Sequence, residues 1–394
     1  MKLPFLITRS YWVFVAALLA AAVAFATPSS ALAVDRTFAG SAQLDYLLIP
    51  DRATRENQPM QAFGGFTLEA ALKLSVDVSD HLSANVKVCV ACHGFETDMA
   101  YLDYRFADEL NIRAGRFSPS FGAFNLRHDP ANHRLSDKPL AYDMGRMLRL
   151  RDWNLGVLPA PFPDNGIEAN GTHWFGSNVQ LDYAAYVVSG FKGDTGAADI
   201  DFVQSRSGSL YYVDNNDRPA FGGRVAMGIR FSQFQDVTIG ASGMFGTLDP
   251  KNDISYAIVG ADVAFRFNRT NLRLEWLMRR QDLDVSDPTR FKYEVSSGKN
   301  YFLKQGGYAE LEQPLTKDFD VIGRFDYLYR SGNVLSASPL QANSAVLRYT
   351  LGTAYNLERG YRVKLSGEAY SFSDIGPTDH HLALAAHAAV VGSF

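Results

Sequence analysis

Three residues of this chain have the types and the spacing that bind a haem covalently. The sequence has only two cysteines, Cys89 and Cys92, and His93 follows the second directly. Two thiols three positions apart can reach both vinyl groups of one porphyrin, and the adjacent histidine can then ligate the iron. The Cys-x-x-Cys-His pattern therefore predicts one covalent haem c, with Cys89 and Cys92 as thioether residues and His93 as the proximal axial ligand.

Three other chemistries use closely spaced cysteines. The two thiols would form a small disulfide in an oxidising compartment. A structural zinc ion needs four ligands, and no other residues in the sequence have zinc spacing. A thioredoxin-like redox motif needs a βαβ context, which the sequence does not show. Haem attachment is the interpretation that also uses the histidine.

The second axial ligand of the iron is expected in a long polar segment, 118–165. This segment contains two histidines, His128 and His133, and we predict His128 as the distal ligand with His133 as the second candidate. A methionine is the next alternative, followed by an open iron site. The methionines considered are Met99, Met144 and Met147.

The same segment is rich in basic residues. Arg127, Arg134 and Lys138 are candidates for lining a pore or for pairing with haem propionates. The segment also carries Asp129 and Asp137, so ion pairs within the loop explain these cations equally well.

The N-terminus predicts export. Lys2 and Arg9 form a positive region, an uncharged apolar stretch covers 12–26, and Ala31-Leu32-Ala33 offers small residues for cleavage, so we expect a signal peptide at 1–33. Its removal takes the formal net charge from −4 to −6, which argues against nucleic acid as a partner. No later run of apolar residues is long enough for a transmembrane helix.

The exported part of the chain alternates between apolar and polar residues with a period of two. The segment 361–369 places Val363 and Leu365 on one face and Lys364 and Glu368 on the other. A Leu/Phe-Asp-Tyr motif recurs at 44–46, 102–104, 181–183 and 325–327, each time with an aspartate opposite two apolar neighbours. In an outer-membrane barrel the apolar face meets lipid and the polar face lines the lumen.

This pattern predicts an all-β fold, a transmembrane antiparallel up-and-down β-barrel of about 16 strands that occupies 34–394 as a single domain. A haem-attachment hairpin at 84–108 and a long inward loop at 118–165 belong to it. Short turns alternate with longer loops, and Phe394 ends an apolar strand, as in proteins inserted into the outer membrane. The predicted strands are 37–48, 64–79, 84–92, 97–108, 110–117, 166–174, 178–190, 218–232, 236–247, 254–267, 270–282, 300–314, 318–331, 343–356, 360–373 and 380–394.

The segment 100–122 reads AYLDYRFADELNIRAGRFSPSFG and resembles the phosphate-selective porin O/P family. In that family a Tyr-rich strand, a short turn and a Gly-x-Phe-x-x-Pro-Phe-Gly-like segment follow in this order. The resemblance implies sixteen strands, a homotrimer and passive uptake of anions. This chain departs from the family pattern by its Cys-x-x-Cys-His segment and by the lack of an obvious basic ladder in the sequence.

These features lead to three functional hypotheses for a protein of the bacterial outer membrane. The first is electron transfer through a haem inside the barrel mouth, with a periplasmic cytochrome or another carrier as partner. The second is a passive anion or small-solute porin with a structural haem or a Cys-x-x-Cys disulfide. The third is haem redox chemistry on a small molecule. No nucleophile elbow, phosphate loop or metalloprotease helix indicates another enzyme.

Overall fold

The computed structural model describes residues 35–50, 64–91, 94–143, 156–193, 205, 212–283, 301–332, 344–358, 360–375 and 379–394. The expected signal peptide, 1–33, lies outside these residues. Within the described residues, no helix is long and apolar enough to cross a membrane.

Sixteen strands form one closed antiparallel barrel. They are β1 Arg36–Leu48, β2 Gly65–Asp77, β3 Leu82–Ala91, β4 Gly94–Ala107, β5 Leu110–Phe117, β6 Asp164–Phe175, β7 Val179–Val188, β8 Ala220–Ser232, β9 Gln235–Thr247, β10 Ser255–Phe267, β11 Thr270–Asp282, β12 Tyr301–Pro314, β13 Phe319–Gly332, β14 Ser344–Glu358, β15 Tyr361–Ile375 and β16 Asp379–Ser393. Each strand pairs with its neighbours in the chain, and β1 closes the barrel on β16, from Ser41↔Ser393 to Leu48↔Ala386. The predicted fold and strand count are confirmed, and β5 and β11 have the predicted bounds.

The alternating pattern is the reason why these strands form a closed wall rather than an open sheet. Closure pairs the backbone groups of every strand, which a wall in contact with lipid requires. On β15, Leu365 is 52% exposed on the outside while Lys364 is only 1% exposed on the inside. The aspartates of all four recurring motifs face inward, whereas the apolar exterior forms the lipid-facing surface.

The two rims of the barrel differ. Short turns connect β2 to β3, β4 to β5 and the later pairs on one rim, and Asn268 adopts the positive φ of 55° that a two-residue turn requires. Phe394 lies at the same rim, where its backbone N–H donates to Gly40 O at 3.1 Å. By the usual arrangement of such barrels this rim is periplasmic, and the long connections are extracellular.

The segment between β5 and β6 lies inside the barrel, and we call its described residues, 118–143 and 156–163, the lumen loop. It contains three 3₁₀ helices, Asn125–Arg127, Pro130–Asn132 and Leu140–Tyr142. Several of its apolar side chains, including Phe121, Phe124 and Leu158, are at most 1% exposed and belong to one buried cluster with inward residues of the wall. Burial of this apolar surface holds the loop against the wall, where its 3₁₀ helices contact β1, β12, β13 and β16.

Candidate functional site

The predicted haem hairpin is the pair β3 and β4. Its last pairs are Cys89↔Glu96, Val90↔Phe95 and Ala91↔Gly94, so β3 ends one residue before Cys92. Cys92 and His93 connect the two strands in the sequence and lie outside the described residues. Their roles as thioether residue and proximal ligand therefore stay predictions.

Cys89 faces the lumen. On the same strand, Val86 and Val90 are 44% and 40% exposed on the lipid side, whereas Lys87 is 4% exposed on the inside. The Cys89 side chain is half-buried and is a free thiol in the structure. A porphyrin bound through this sulfur would thus lie on the lumen side of the wall.

A β-bulge beside Cys89 adds a carboxylate to this part of the lumen. Lys87 pairs with Met99 and Val88 pairs with Thr97, so Asp98 is the extra residue of β4. Bulges redirect side chains next to functional sites, and here Asp98 becomes buried within 2.9 Å of Lys87 Nζ. Asp98 and Cys89 lie on adjacent strands, and Asp98 is two residues from Glu96, the pairing partner of Cys89.

The lumen loop brings His128 to this cluster. Its Nε2 lies 3.2 Å from Lys87 Nζ and 4.0 Å from Asp98 Oδ2, and the side chain is almost fully buried. Its Nδ1 lies 2.6 Å from the backbone oxygen of Asn125, an acceptor, so Nδ1 carries the proton and Nε2 keeps a lone pair. Burial and the Lys87 ammonium lower the pKa of His128 below its ordinary value, which favours the neutral imidazole.

The described residues around Cys89 fit a c-type haem in their donor chemistry. The thiol that would form one thioether faces the same part of the lumen as a neutral imidazole. The hydrogen bond to Asn125 holds that imidazole in the tautomer that a metal ligand needs. Lys87 Nζ lies against Nε2 in this structure, so ligation of iron by His128 requires Lys87 to turn toward Asp98 and Asp129, which it already contacts at 2.9 and 2.6 Å.

His133 is also buried but faces a different set of groups. Its Nδ1 donates to Leu135 O at 2.8 Å, and its ring packs on Phe124 with 5.7 Å between centroids. Burial and the nearby ammonium of Lys364 lower the pKa of His133 well below its usual value. His128 is therefore the better placed of the two predicted distal ligands.

The three predicted basic residues of the loop bind the barrel wall. Arg127 donates to Tyr308 OH at 3.2 Å, Arg134 lies 3.2 Å from Asp320, and Lys138 lies 3.3 Å from Glu69. The expected alternative was ion pairs within the loop, whereas these contacts join the loop to β12, β13 and β2 of the wall.

A basic ladder that was not obvious in the sequence lines the inner wall of the barrel between β11 and β15. Arg279, Arg324, Arg348 and Lys364 lie on the inner face of β11, β13, β14 and β15 and are at most 4% exposed. Each donates to a backbone oxygen of the lumen loop, as Arg348 does to Lys138 O at 2.6 Å. The ladder is not obvious in the sequence because its members lie on separate strands, far apart along the chain. Its cations hold the loop.

A vestibule of about 1020 Å³ opens at the periplasmic rim. Its described lining has seven carboxylates and three arginines, and two of these arginines, Arg113 and Arg224, are paired with acidic residues of the wall. Leu126 of the lumen loop lies at its inner end and is 52% exposed. The carboxylates are Asp35, Asp77, Asp80, Asp103, Asp108, Glu168 and Asp182.

Known proteins share the fold of this chain at low sequence identity. The channel DcaP of Acinetobacter baumannii matches with a TM-score of 0.56 and 11% identity over 93% of this chain and 99% of that one. The outer membrane protein OmpT of Vibrio cholerae has a TM-score of 0.53 and 10% identity over 93% and 99%. An anion-selective porin from Comamonas acidovorans has a TM-score of 0.53 and 10% identity over 92% and 100%.

Sequence comparison finds one distant relative. An uncharacterized protein of Aquifex aeolicus is 23% identical over 279 residues, which cover 66% of this chain and 57% of that protein, so the match spans little more than half of the relative. No family model matches the chain, and the resemblance to the phosphate-selective porin O/P family stays a prediction. The closed barrel with an apolar exterior, shared with these solved structures, makes the chain a porin-like β-barrel of the bacterial outer membrane.

Proposed function

We propose that this barrel carries one haem c on the hairpin of β3 and β4 and acts in electron transfer at the outer membrane. Cys89 and Cys92 would hold the haem covalently, with His93 as the proximal and His128 as the distal ligand. When bound, the haem supplies one-electron redox chemistry whose potential depends on axial ligation and burial.

The observation that carries this proposal is the position of His128. The buried His128 has its Nδ1 fixed by a backbone oxygen, and its Nε2 contacts Lys87, which is two residues from the inward-facing Cys89 on β3. These residues come from β3, β4 and the lumen loop, so the fold assembles them from separate parts of the chain. A loop held only by its own packing would not require a buried histidine to contact the strand that carries Cys89.

The periplasmic vestibule supports a soluble basic electron carrier as partner. Its acidic excess would attract a positively charged protein surface by electrostatic steering. Leu126 at its inner end and His128 belong to the same short stretch of the lumen loop. A single haem near the extracellular rim does not span the membrane. A carrier docked in the vestibule would shorten the distance that electrons must cross between the periplasm and the haem.

A haem stain on a denaturing gel tests the proposal first. We expect a coloured band from the full-length protein produced with c-type haem maturation, and no colour from a Cys89→Ser/Cys92→Ser variant. A colourless wild-type band would refute the haem. Reduced-minus-oxidised spectra should then show six-coordinate low-spin iron, whereas high-spin iron would contradict a distal histidine.

Replacement of the two loop histidines separates ligation from packing. His128→Gln should convert the iron to the high-spin form, and His133→Gln is the matched control, because it also removes a buried imidazole from the same loop. Low-spin spectra in both variants would refute His128 as ligand. Conversion in the His133 variant alone would assign that residue instead.

A passive small-solute porin remains the second candidate, because the vestibule offers a solvent-filled entrance. Its acidic excess favours cations over anions at this rim. Planar-bilayer recordings under a salt gradient should therefore show either a closed barrel or a cation-preferring one. A marked anion preference would contradict the reasoning from the vestibule. One form of the Vibrio cholerae protein OmpT is a trimer. Because this chain shares that barrel fold, we propose a homotrimer for it as well.

A further inference from the structure

A second cluster of buried polar side chains, one histidine with carboxylates, lies inside the barrel where β1, β15, β16 and the lumen loop meet. We infer that Asp137, Glu368 and His387 form a binding site for a divalent transition-metal ion, of the zinc or iron(II) type. One oxygen or nitrogen of each residue lies within 4.8 Å of the others. The inference does not depend on the proposed haem function.

Asp45 orients the histidine of this cluster. Its two carboxylate oxygens lie 3.0 and 3.2 Å from His387 Nδ1, which therefore carries the proton and donates it. A carboxylate on one ring nitrogen and a metal on the other is the usual arrangement of histidine ligands, because it fixes both the ring and the tautomer. His387 Nε2 is then the nitrogen that faces Glu368 and Asp137.

Two buried atoms of the cluster have no hydrogen-bond partner among the residues that the structure describes. His387 Nε2 lies 3.5 Å from Glu368 Oε2 without a hydrogen bond, and Glu368 Oε1 also has no hydrogen bond. Both side chains are at most 2% exposed. Since buried polar atoms without partners are costly, an ion that binds both would relieve the cost.

The size of the cluster suits a small metal ion after a modest movement. Tetrahedral ligands at about 2.1 Å from zinc are separated by about 3.4 Å. The ligand atoms, now within 4.8 Å of one another, must approach by roughly 1 Å. Asp137 can make this movement, because its side chain is 14% exposed and belongs to the loop, whereas Glu368 is on the wall and fully buried.

The surrounding charges leave room for a cation. Arg348 lies 3.9 Å from Glu368 Oε1 and also contacts Asp137, but its Nε donates to Asp326 at 3.0 Å and its Nη2 to Lys138 O at 2.6 Å. Asp137 and Glu368 therefore share one guanidinium, which Asp326 also contacts. A divalent ion bound to a neutral His387 would add positive charge between these two carboxylates.

The ligand set defines the class of metal. One imidazole with two carboxylates suits zinc, iron(II) or manganese(II), whereas calcium and magnesium prefer oxygen ligands alone. Because Asp137 is on the lumen loop and the other two ligands are on the wall, the ion would fasten the loop to β15 and β16. Three protein ligands leave a position for water or a small anion.

Zinc titration of the metal-free full-length protein in detergent tests the site. We expect wild type to bind zinc and to unfold at a higher temperature with it. His387→Gln, Glu368→Gln and Asp137→Asn should each weaken binding by more than tenfold, and Asp45→Asn by about 10- to 100-fold as expected for an outer-shell partner. His133→Gln is the matched control and should bind as wild type does.

Cobalt(II) separates this site from the hairpin thiols. In the full chain with Cys89→Ser/Cys92→Ser, cobalt should give d–d bands without a thiolate charge-transfer band, and His387→Gln should abolish them. Equal binding by wild type and the His387 variant would overturn the site, as would no cobalt spectrum at all. If Glu368→Gln fails to fold on a heat-modifiability gel, the His387 and Asp45 variants decide the question.

Discussion

Glu275 on β11 holds the lumen loop inside the barrel, and its removal should release the loop. This nearly fully buried carboxylate accepts hydrogen bonds from Ala123 N at 2.7 Å, Phe124 N at 3.1 Å, Tyr142 OH at 2.5 Å and Tyr308 OH at 3.0 Å. Three of these donors belong to the loop. Glu275→Ala leaves four donors without their acceptor.

The size of the effect follows from the number of donors. Each buried donor without a partner costs about 1–3 kcal/mol, and the low end applies because water can enter the space left by the side chain. Four donors therefore give a loss of about 4 kcal/mol. Since 1.4 kcal/mol corresponds to a factor of ten, the population of undocked loop should rise by about 10³-fold. Glu275→Gln should have a smaller effect, because its amide oxygen still accepts from the backbone.

Limited proteolysis of the folded protein in detergent measures this population. Cleavage between residues 118 and 163, identified by mass spectrometry, should be much faster in Glu275→Ala than in wild type, and bilayer recordings should show a larger or noisier conductance. Asp182→Asn is the matched control, because Asp182 faces the lumen but bonds Thr172 and Gln180 of the wall. Cleavage of Glu275→Ala at the wild-type rate would refute the reasoning.

Three further perturbations test the wall and the loop. Arg348→Gln removes one of the two arginines that contact the fully buried Asp326 and leaves Arg324 in place at 3.0 Å. The unfolding free energy in detergent should therefore fall by about 1–3 kcal/mol, the cost of one lost hydrogen bond to a buried charge; an unchanged value would show that the Arg348–Asp326 pair is dispensable. Leu365→Arg places a charge on the lipid face and should make the free energy of folding into lipid vesicles less favourable by about 2–4 kcal/mol. Leu365→Ala is the control. His128 has a lowered pKa in the fold, so its contribution to stability is present above about 6.5, the ordinary histidine pKa, and is lost as the pH falls below it. His133 also has a lowered pKa, so the fall in unfolding temperature below this pH should be smaller in His128→Gln than in wild type rather than absent, and an equal fall in both would exclude His128 as a cause.

Local patterns predicted the barrel well. The strand bounds came from alternation and turn residues, and both depend on neighbours in the sequence. On β3 the same alternation separates Lys87 and Cys89 on the inner face from Val86 and Val90 on the lipid face. The bulge at Asp98 was not predicted, because one extra residue in a pairing of two strands leaves no mark on either strand alone.

The contacts of the lumen could not be predicted from the sequence. Lys87 and His128 are 41 residues apart, and Asp45 and His387 are 342 residues apart. The sequence singled out His128 and His133 equally well as loop histidines, and only the path of the loop places the first beside Lys87. The role of Arg348 likewise depends on a loop carbonyl that is 210 residues away.

The sequence by itself determined the Cys-x-x-Cys-His motif, the number and approximate bounds of the strands and the face that most side chains take, because these depend on residue type and on a period of two along one strand. The tertiary structure alone decided which lumen residues meet. Barrel closure brings β1 to β16, and the inward path of the lumen loop sets Glu275, Arg348 and His128 against their partners. Such contacts join residues far apart in the chain, and no local pattern encodes them.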